Sequence, residues 1–333
     1  MVKEINLAVI GAGYWGTKVA EEYIRLARTD HTFNLTKICD PEKSKLSTCK
    51  DVLNVGSEKL ATDYKAIISD HDINAVHICT PNVTHYKIAL QALKANKSVL
   101  LEKPMASSFK DALDLCAVAK SAHLCLQVGH IFRFNNALKK LRELINEGYF
   151  GNLYYLKLQW TTLMTSPLGR DVIFDLGPHP VDIINFLLER WPSKVSCNAK
   201  AYRRRALAEV AYIVMEFGEK TLAHVELSWL EPGKIRELNI IGSKRSARVD
   251  CLNQWIKIFE EKKDNSFKVD IPVNNTIFDE ISHFVRSIRD ENNHKNPGSV
   301  GAANMAVLEG LKKSMVEQRM VRVDMKKKMH SIG

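Results

Sequence analysis

Three glycines near the start of the chain, Gly11, Gly13 and Gly16, follow a short apolar run and have the spacing of a phosphate-binding turn. Gly11 would let the chain turn sharply after a buried strand, and Gly13, which lacks a side chain, would let a pyrophosphate approach the backbone. Gly16 would let the next helix pack closely on the strand, and the N-terminus of that helix would direct N–H groups at the phosphates. The spacing therefore predicts a dinucleotide site, with Tyr14 and Trp15 beside it.

An acidic residue, Asp40, ends the second apolar run, which extends from Phe33 to Cys39. In a dinucleotide fold, a carboxylate at this point hydrogen-bonds the adenosine ribose hydroxyls, and its charge would repel the 2′-phosphate of NADP. We therefore expect the protein to bind NAD in preference to NADP. The nearby Lys43 and Lys45 carry positive charges that would reduce this preference. The alternative is a glycine turn in another α/β fold, with Asp40 capping the helix that follows.

Two more groups of polar residues directly follow apolar runs, Thr80-Pro81-Asn82 and Glu102-Lys103-Pro104. Ligands bind beyond the carboxyl ends of parallel strands, so both groups, and His85 one turn later, are candidate cofactor contacts. Near a nicotinamide, a partly desolvated Lys103 could share its proton with a substrate hydroxyl, because desolvation lowers the pKa of a lysine. The alternative is a surface lysine at the end of a strand.

A second constellation, Asp175-Leu176-Gly177-Pro178-His179, stands at the predicted start of a helix. Pro178 suits the first turn, with Asp175 or Gly177 near the cap. At a helix N-terminus the imidazolium form of His179 is disfavoured, which leaves an imidazole able to accept a proton. Such a base could remove a hydroxyl proton as hydride leaves carbon, with Asp175 orienting it. The alternative is an N-cap aspartate and a histidine that only packs.

Four residues are candidates for substrate contacts: His130, Arg133, Asn135 and Arg170. The first three follow the last predicted parallel strand, next to the presumed ligand site. The guanidinium of Arg170 offers a fork of donors that could meet a phosphate or a carboxylate. Each of the four could equally be structural, and Arg170 could be a loop arginine in solvent.

The elements that must position these residues change character after Val128. Up to that point, short apolar runs alternate with helical periodicity, which predicts an N-terminal Rossmann domain with a doubly wound parallel sheet, residues 1–128. Residues 129–333 contain runs of period two joined by short turns, which predict an α+β domain with a large, mostly antiparallel open sheet. Trp160 and Trp229 are interpreted as packing aromatics of that sheet. Its uncovered face favours a homodimer or homotetramer.

The composition is that of an ordinary soluble protein, with 333 residues, 45% hydrophobic and 26% charged. No apolar run is long enough to span a bilayer and no secretory signal precedes the first strand, so we expect a cytoplasmic protein without membrane contact. Seven cysteines without a C-x-x-C pair predict a reduced chain and no bound metal. The net charge of +10 could indicate nucleic acid, but no nucleic-acid-binding motif is found, and a basic protein also favours anionic small molecules.

Six segments together resemble the Gfo/Idh/MocA oxidoreductases, named for glucose-fructose oxidoreductase and inositol dehydrogenase. They are A-V-I-G-A-G-Y-W-G, I-C-D-P, C-T-P-N-V-T-H, L-E-K-P, D-L-G-P-H-P-V-D and K-S-M-V-E-Q-R-M-V. The resemblance covers nearly the whole chain. It implies a Rossmann domain followed by a domain whose large open sheet often mediates dimers or tetramers. It also implies that Lys103 and His179 serve catalysis, with Asp175 assisting.

Within that family, residues 129–141 and 168–179 look most like those of the nucleotide-sugar 3-dehydrogenases. Those enzymes use NAD to oxidise the 3-hydroxyl of UDP-N-acetylglucosamine or its uronic acid. Phe174 stands where the family usually has tryptophan, and Pro180 where an acidic residue is more usual. The resemblance implies hydride transfer between a sugar or nucleotide-sugar hydroxyl and nicotinamide. The alternatives are a free-sugar or inositol dehydrogenase and a non-catalytic NAD-binding regulator.

Overall fold

The computed structural model describes residues 4–164, 170–203, 207–260, 265–290 and 296–325. Residues 168–169 of the segment that resembles the nucleotide-sugar enzymes lie outside these ranges. Backbone packing groups the chain into two compact units, one within Met1–Ile131 and Asn275–Ala302, the other within Phe132–Asn274 and Ala303–Ser331. The segment Asn275–Ala302 thus belongs to the first unit, whereas the predicted boundary after Val128 assigns it to the second domain. The boundaries of independently folding domains stay a prediction.

Six strands form the sheet of the first unit, and every neighbouring pair is parallel. They are β1 (Ile5–Ile10), β2 (Phe33–Cys39), β3 (Leu60–Ala61), β4 (Ala75–Ile78), β5 (Ser98–Leu101) and β6 (Leu126–Val128), in the spatial order β3-β2-β1-β4-β5-β6. The helices between them are α1 (Tyr14–Ala27), α2 (Lys43–Leu53), α3 (Tyr64–Ser69), α4 (Asn82–Lys94) and α5 (Phe109–Ser121). The strand order reverses beside β1, as in a doubly wound sheet, which confirms the predicted fold class.

Side-chain caps start two of these helices. The hydroxyl of Ser108 accepts a hydrogen bond from the amide of Asp111 at 3.1 Å, so α5 begins with a side-chain cap. Asp63 caps α3 in the same way, through the amide of Lys65 at 2.9 Å. Helix α1 begins at Gly13 without a side-chain cap, which leaves its first amides available to another acceptor.

Nine strands form the sheet of the second unit, and their neighbouring pairs are antiparallel except for β7 with β10. They are β7 (Leu153–Thr162), β8 (Lys194–Lys200), β9 (Val210–Phe217), β10 (Thr221–Ser228), β11 (Lys234–Gly242), β12 (Arg245–Asp250), β13 (Trp255–Glu260), β14 (Ser266–Val269) and β15 (Val321–Arg322), in the order β14-β13-β12-β11-β7-β10-β9-β8-β15. Three helices precede β8 in this unit: α6 (Asn136–Asn146), α7 (Val172–Asp175) and α8 (Pro178–Leu188). The predicted mostly antiparallel sheet is confirmed.

This sheet buries one face and exposes the other. Along β10, Ala223, Val225 and Leu227 are fully buried, whereas Leu222 is 48% exposed. Leu222 pairs with Tyr155 of β7, which is 44% exposed. We call the side that carries Leu222 and Tyr155 the open face. The alternation of buried and exposed residues is the one that the period-two pattern predicts.

Two long helices lie between β14 and β15 along the chain, α9 (Thr276–Arg289) and α10 (Gly298–Glu317). Helix α9 belongs to the first unit, where Phe284 joins the core cluster of β1, β2 and α1. At its end, Arg289 Nη1 lies 2.8 Å from Asp30 Oδ2 and Arg289 Nη2 donates to Thr32 Oγ1 at 2.5 Å. These contacts fasten the end of α9 to the turn that precedes β2.

All seven cysteines are free thiols, and only Cys79 among them is more than slightly accessible. Burial raises the pKa of Cys39, Cys116, Cys125 and Cys197 to about 12. The thiolate form of these side chains is therefore scarce at neutral pH. Within the described ranges, no helix combines the length and the apolar character needed to cross a bilayer.

Candidate functional site

The glycine turn after β1 has the geometry that its spacing predicts. Gly11 has a φ of +108°, and a Cβ there would lie 2.6 Å from the carbonyl oxygen of Cys79. A Cβ on Gly16 would lie 1.8 Å from the carbonyl oxygen of Gly11, so a side chain would force α1 away from the turn. A Cβ on Gly13 would meet no protein atom within 4 Å, which is the open space that an approaching pyrophosphate requires.

Asp40 holds this turn as well as presenting a carboxylate at the end of β2. Its Oδ2 accepts a hydrogen bond from the amide of Ala12 at 2.9 Å, and its Oδ1 accepts one from the amide of Glu42 at 2.9 Å. The side chain is buried beside the glycines. Tyr14 on the first turn of α1 is 77% exposed, and Lys18 Nζ lies 4.6 Å from the centre of its ring. The turn thus has an acidic group on one strand end and a cation on the adjoining helix.

The turns after β4 and β5 are tied to each other by two side chains that were predicted as cofactor contacts. Asn82 Nδ2 donates to the carbonyl oxygens of Pro104 and Ala106 at 2.9 and 3.2 Å. His85 places Nδ1 2.9 Å from the carbonyl oxygen of Pro104 and Nε2 2.8 Å from that of Thr80. A carbonyl oxygen only accepts, so both contacts are satisfied when both ring nitrogens carry a proton. The structure uses these side chains within the protein, and their contact with cofactor stays a prediction.

Glu102 and Lys103 directly follow β5, and the carboxylate of Glu102 is buried. Its Oε1 accepts a hydrogen bond from Trp15 Nε1 at 2.5 Å, and its Oε2 accepts one from the amide of Lys103 at 3.3 Å. The side chain of Lys103 is half-buried. The first unit therefore brings together three predicted residues from separate segments, Trp15 from α1 and the pair from the turn after β5.

His77 and Tyr23 also belong to this group, although the sequence analysis did not single them out. His77 Nε2 lies 3.5 Å from Glu102 Oε1, and its Nδ1 lies 3.3 Å from the hydroxyl of Tyr23. The available signal was one histidine inside β4, whose other residues are apolar. His77, Cys79 and Glu102 have potential ligand atoms within 4.8 Å of one another, but the Glu102 carboxylate already accepts from Trp15, so we interpret the group as a hydrogen-bonded network. The expectation of no bound metal stays a prediction.

His130 lies at the end of β6 and is 2% exposed. Its amide donates to the carbonyl oxygen of Val128 at 2.7 Å. Asn296 Nδ2 donates to the carbonyl oxygens of Val128 and His130 at 3.0 and 3.4 Å, and so fixes this strand end. A substrate contact of His130 stays a prediction.

In the second unit, His179 lies in the first turn of α8, which begins at Pro178 as predicted. Asn304 Nδ2 donates to the carbonyl oxygen of Pro178 at 2.9 Å and fixes the start of the helix. The half-buried imidazole packs edge-on against Phe132, at 5.3 Å between ring centres, and lies 6.2 Å from the ring of Trp160. These two aromatic rings restrict the positions that the His179 ring can take.

Asp175 is the last residue of α7, and its carboxylate is buried between two donors. Arg170 Nη2 lies 2.5 Å from Oδ1, and Trp229 Nε1 donates to Oδ2 at 3.2 Å. The N-cap of α8 is Gly177, so the alternative interpretation of Asp175 as that cap is wrong. Arg170 thus contacts a carboxylate of its own chain, and its contact with substrate stays a prediction.

Trp229 and Arg236 also lie around Asp175 in the second unit, and the sequence analysis did not predict this role for either residue. Arg236 is 7% exposed, donates from Nη1 to the carbonyl oxygen of Thr161 at 2.8 Å and lies 5.1 Å from the ring centre of Trp160. Burial lowers the pKa of Arg236 to about 10, and the charge of Asp175 opposes that shift. The signal in the sequence is an arginine at the buried phase of β11, two residues before Leu238.

Arg133 and Asn135 have contacts that explain them within the fold. Arg133 donates from Nε to Asp182 Oδ1 at 2.8 Å and from Nη2 to Asn185 Oδ1 at 2.7 Å, both on α8. Asn135 caps α6 by accepting from the amide of Leu138 at 3.1 Å, and its Nδ2 donates to the carbonyl oxygen of Cys251 at 2.9 Å. Their predicted substrate contacts stay predictions.

Two family models match the chain. Residues 5–130 match the oxidoreductase family with an NAD-binding Rossmann fold, and residues 138–248 match the GFO/IDH/MocA C-terminal domain. The first match spans the glycine turn, Asp40 and Lys103, and the second spans Asp175 and His179. The two models cover more than half of the chain.

Several known proteins are similar to this chain over most of its length. UDP-N-acetylglucosamine 3-dehydrogenase from Acidithiobacillus ferrooxidans is 27% identical over 257 residues, which are 77% of each chain. Myo-inositol 2-dehydrogenase from Thermotoga maritima is 23% identical over 336 residues, 96% of this chain and 99% of the relative. A solved structure of UDP-N-acetylglucosamine 3-dehydrogenase from A. ferrooxidans has a TM-score of 0.82 at 24% identity, over 93% of this chain and 97% of that one. With both domain models matched and the parallel sheet and glycine turn in place, the chain belongs to the Gfo/Idh/MocA family of NAD-binding oxidoreductases.

Proposed function

We propose that the protein oxidises a hydroxyl group of a sugar or nucleotide-sugar and passes the hydride to NAD. The observation that carries this proposal is a pair of half-buried groups on two family motifs, Lys103 directly beyond β5 and His179 in the first turn of α8. One is an ammonium and the other an imidazole, so together they can hydrogen-bond and deprotonate a hydroxyl. A protein that only sensed the cofactor would need neither.

His179 is proposed to take the hydroxyl proton. The N-terminus of α8 disfavours the imidazolium, so the ring is neutral and can accept a proton when the carbinol carbon loses hydride. Phe132 and Trp160 hold the ring, and Asp175 lies one turn before it with its charge compensated by Arg170. The bound nicotinamide supplies the hydride acceptor. The substrate loses a proton and a hydride and becomes a carbonyl compound.

Lys103 is proposed to hydrogen-bond the reacting oxygen and to stabilise its developing charge. The neighbouring Glu102 supports that role because it stays ionised. Burial alone would raise the pKa of the Glu102 carboxyl, but His77, Trp15 and the charge of Lys103 together hold it below its ordinary value. The negative charge of Glu102 in turn favours the ammonium form of Lys103.

The finer assignment of the substrate rests on similarity. The A. ferrooxidans relative is named for UDP-N-acetylglucosamine, and the T. maritima relative for myo-inositol. We propose the 3-hydroxyl of UDP-N-acetylglucosamine or of its uronic acid as the first candidate, and a free sugar or inositol as the second. The basic net charge of +10 favours the anionic candidates.

The test is a spectrophotometric assay of NAD reduction with UDP-N-acetylglucosamine, its uronic acid, glucose, xylose and myo-inositol. With the active substrate, Lys103→Met and His179→Gln should each lower kcat about 10²- to 10⁴-fold, the range for general acid–base groups. Lys110→Met and His224→Gln serve as matched controls, since they change the same residue types on exposed or half-exposed positions. Either catalytic variant retaining the wild-type rate would contradict the assignment. Tight NAD binding without turnover of any substrate would favour the regulator.

A further inference from the structure

A buried histidine lies behind the Glu-Lys-Pro turn and, in the mechanism proposed above, does not itself contact the reacting groups. His77 is fully buried in β4, where its neighbours in the strand are Ala75, Val76 and Ile78. A histidine in such an apolar strand costs free energy unless its ring nitrogens have partners. Both nitrogens of His77 lie near polar atoms of the first unit, and these partners indicate what the residue does.

Each nitrogen of the ring faces one polar group. His77 Nε2 is 3.5 Å from Glu102 Oε1, and because an ionised carboxylate only accepts, a proton on Nε2 would make this contact favourable. His77 Nδ1 is 3.3 Å from the hydroxyl of Tyr23. Burial, followed by the nearby Cys79, Glu280, Glu102 and Cys125, raises the pKa of Tyr23 well above its ordinary value. Tyr23 therefore stays a phenol, and its hydroxyl can donate to His77 Nδ1.

The Glu102 carboxylate is confined from several sides. Trp15 Nε1 donates to Oε1 at 2.5 Å, and the amide of Lys103 donates to Oε2 at 3.3 Å. Gly129 leaves no spare room beyond them, since a Cβ there would lie 3.0 Å from the carboxylate carbon and from both of its oxygens. His77 closes the remaining side at the end of β4. Trp15, the Lys103 amide and Gly129 thus leave the carboxylate little freedom to move.

We infer that His77 is a positioning residue, which holds the Glu102 carboxylate against the Trp15 indole and the Lys103 amide and thereby fixes Lys103. The catalytic part of this inference rests on the proposed dehydrogenase function. Without His77, the carboxylate loses its partner at the end of β4. Burial, the largest influence on the pKa of Glu102, then favours the neutral carboxyl group and is opposed by Trp15 and Lys103. A neutral carboxyl group carries a proton and can donate a hydrogen bond, whereas the ionised group only accepts. The turn that carries Lys103 loses its fixed support.

The first test needs no substrate. The ¹⁵N–¹H resonance of the Trp15 indole, assigned with Trp15→Phe, reports the charge of its acceptor. In the wild type we expect this resonance to stay constant from about pH 8 to about pH 5, because Glu102 is ionised throughout. In His77→Leu, which removes both nitrogens at similar volume, we expect it to titrate within that range. His77→Gln keeps an N–H donor and should restore the constant signal, and His224→Leu on the second unit should have no effect.

Several elements packed around Glu102 contribute charged or titratable groups. Any of these groups that changes its charge between about pH 5 and about pH 8 could also shift the Trp15 resonance. These groups are Tyr23 on α1, His77 of β4, Cys79 directly after β4, Lys103 after β5, and, farther off, Cys125 before β6 and Glu280 on α9. The tyrosine and the cysteines stay protonated throughout the range, because burial raises their pKa. Glu102→Gln identifies the titrating group, because in the double variant with His77→Leu the change in the Trp15 resonance should disappear.

The second test uses turnover. His77→Leu should lower kcat about tenfold, the effect of weakening one charge-assisted contact, and change KM for NAD and substrate less than about threefold. The acid limb of its pH–rate profile should move to higher pH, and His77→Gln should recover most of kcat. If His77→Leu fails to fold, Tyr23→Phe removes the phenol at Nδ1 at equal volume and should change kcat and the indole signal in the same direction, by less.

The outcomes separate the two proposals. A Trp15 resonance that stays constant in His77→Leu overturns the positioning role, as does an unchanged kcat and pH profile. A lower melting temperature with an unchanged pH profile would show a purely structural residue and would equally overturn it. If the wild type turns over no hydroxyl substrate, the dehydrogenase proposal fails, and the indole titration still decides whether His77 holds Glu102.

Discussion

Two carboxylates, one in each unit, are each held by a tryptophan indole. Trp15 donates to Glu102 in the first unit, and Trp229 donates to Asp175 in the second. An indole N–H can only donate, so each bond is made to an ionised carboxylate or to a carbonyl-type oxygen of the acid. Each indole is a rigid ring, so its N–H bond restricts the direction of the carboxylate that it contacts.

Trp229→Phe should impair turnover more than it impairs folding. The substitution keeps an aromatic ring in the core but removes the donor to Asp175 Oδ2, and a hydrogen bond to a charged group contributes about 1.5–3 kcal/mol. We expect kcat to fall about tenfold or more. Trp255→Phe, at a half-buried position in β13, is the matched control. Steady-state kinetics with both variants decides, and equal activity of the two would contradict a role for the Trp229 indole.

Asp40→Asn should weaken the preference for NAD over NADP. The amide keeps one oxygen for the hydrogen bond from Ala12, so the glycine turn is retained, but the charge that repels a 2′-phosphate is lost. We expect the ratio of NAD to NADP affinity to fall about tenfold, corresponding to about 1.4 kcal/mol. Titration of both cofactors by nicotinamide fluorescence measures this ratio. An unchanged ratio would refute the assignment of Asp40 as the ribose-binding residue.

At this scale, the sequence identified the residues that follow apolar runs and missed those inside them. Lys103 and His179 stand at the end of a strand and the start of a helix, where hydropathy changes and a polar residue is conspicuous. His77 and Arg236 occupy strand positions and Trp229 directly follows β10, and a single polar or aromatic residue there does not alter the period of the pattern. Their partners are distant in sequence, so only the folded chain reveals them.

At the scale of elements, the turns after β4 and β5 depend on His85. The His85→Leu variant loses hydrogen bonds to the carbonyl oxygens of Thr80 and Pro104 and leaves both groups buried without that partner. We expect a loss of about 2–4 kcal/mol in the free energy of unfolding and weaker NAD binding. Denaturant unfolding and cofactor titration measure the two effects. His71→Leu, at an exposed position in the same unit, is the control, and similar effects of both variants would contradict the role of His85.

The ion pair between Arg289, at the end of α9, and Asp30 should make the free energy of unfolding depend on pH in the acidic range. Hydrogen bonds from Arg289 are the main cause that lowers the pKa of Asp30 to about 2, with Thr32 also contributing. A lowered carboxyl pKa stabilises the fold above the ordinary pKa near 3.8, and this contribution disappears as pH falls from about 4 to about 2. Arg289→Met should therefore cost about 1 kcal/mol at neutral pH.

Thermal unfolding of wild type and Arg289→Met at several pH values tests that statement. The difference between the melting temperatures should be constant from pH 7 to about pH 4.5 and should shrink as Asp30 becomes protonated in both states. Arg25→Met, which also removes an arginine of the first unit, is the comparison. A difference that stays the same at low pH would show that Arg289 acts by packing and not through the charge of Asp30.

Element prediction succeeded where the local signal was strong. The proline at the start of α8 gave a helix start that the structure confirms. Strands β12 and β14 have a much weaker local signal. Their sequences, R-S-A-R-V-D and S-F-K-V, have little alternation, and they are strands because β11 and β13 offer partners. Pairing across the sheet is a non-local property and leaves a weak trace in a short segment.

At the scale of the molecule, the order of elements along the chain predicted the architecture. The unit to which helix α9 belongs could not be predicted. Alternating strands and helices require crossovers, and crossovers give a parallel sheet. The amphipathic pattern of α9 predicts a buried face but carries no information on which core covers it. In the structure that core is the one of β1, β2 and α1, from the opposite end of the chain.

The open face of the second unit leads to a prediction about assembly. We propose that it is covered by another copy of the chain, because an uncovered sheet face with Leu222 and Tyr155 offers apolar area to a partner. Leu222→Asp should shift sedimentation at micromolar concentration from dimer or tetramer to a smaller species. Val52→Asp, at a 64% exposed position of α2, should not. A wild type that sediments as a monomer would refute this assembly.

The native thiols have a practical consequence for site-specific labelling. Six of the seven are buried, Cys79 is partly accessible, and burial raises the pKa of each, so a maleimide or haloacetamide reagent at neutral pH would react with them slowly. A cysteine introduced at an exposed position such as Val316 would carry nearly all of the label without removal of the native ones. Fluorophores or spin probes can thus be attached to introduced cysteines in the wild-type background. Two such labels within one unit would allow the distance between them to be measured.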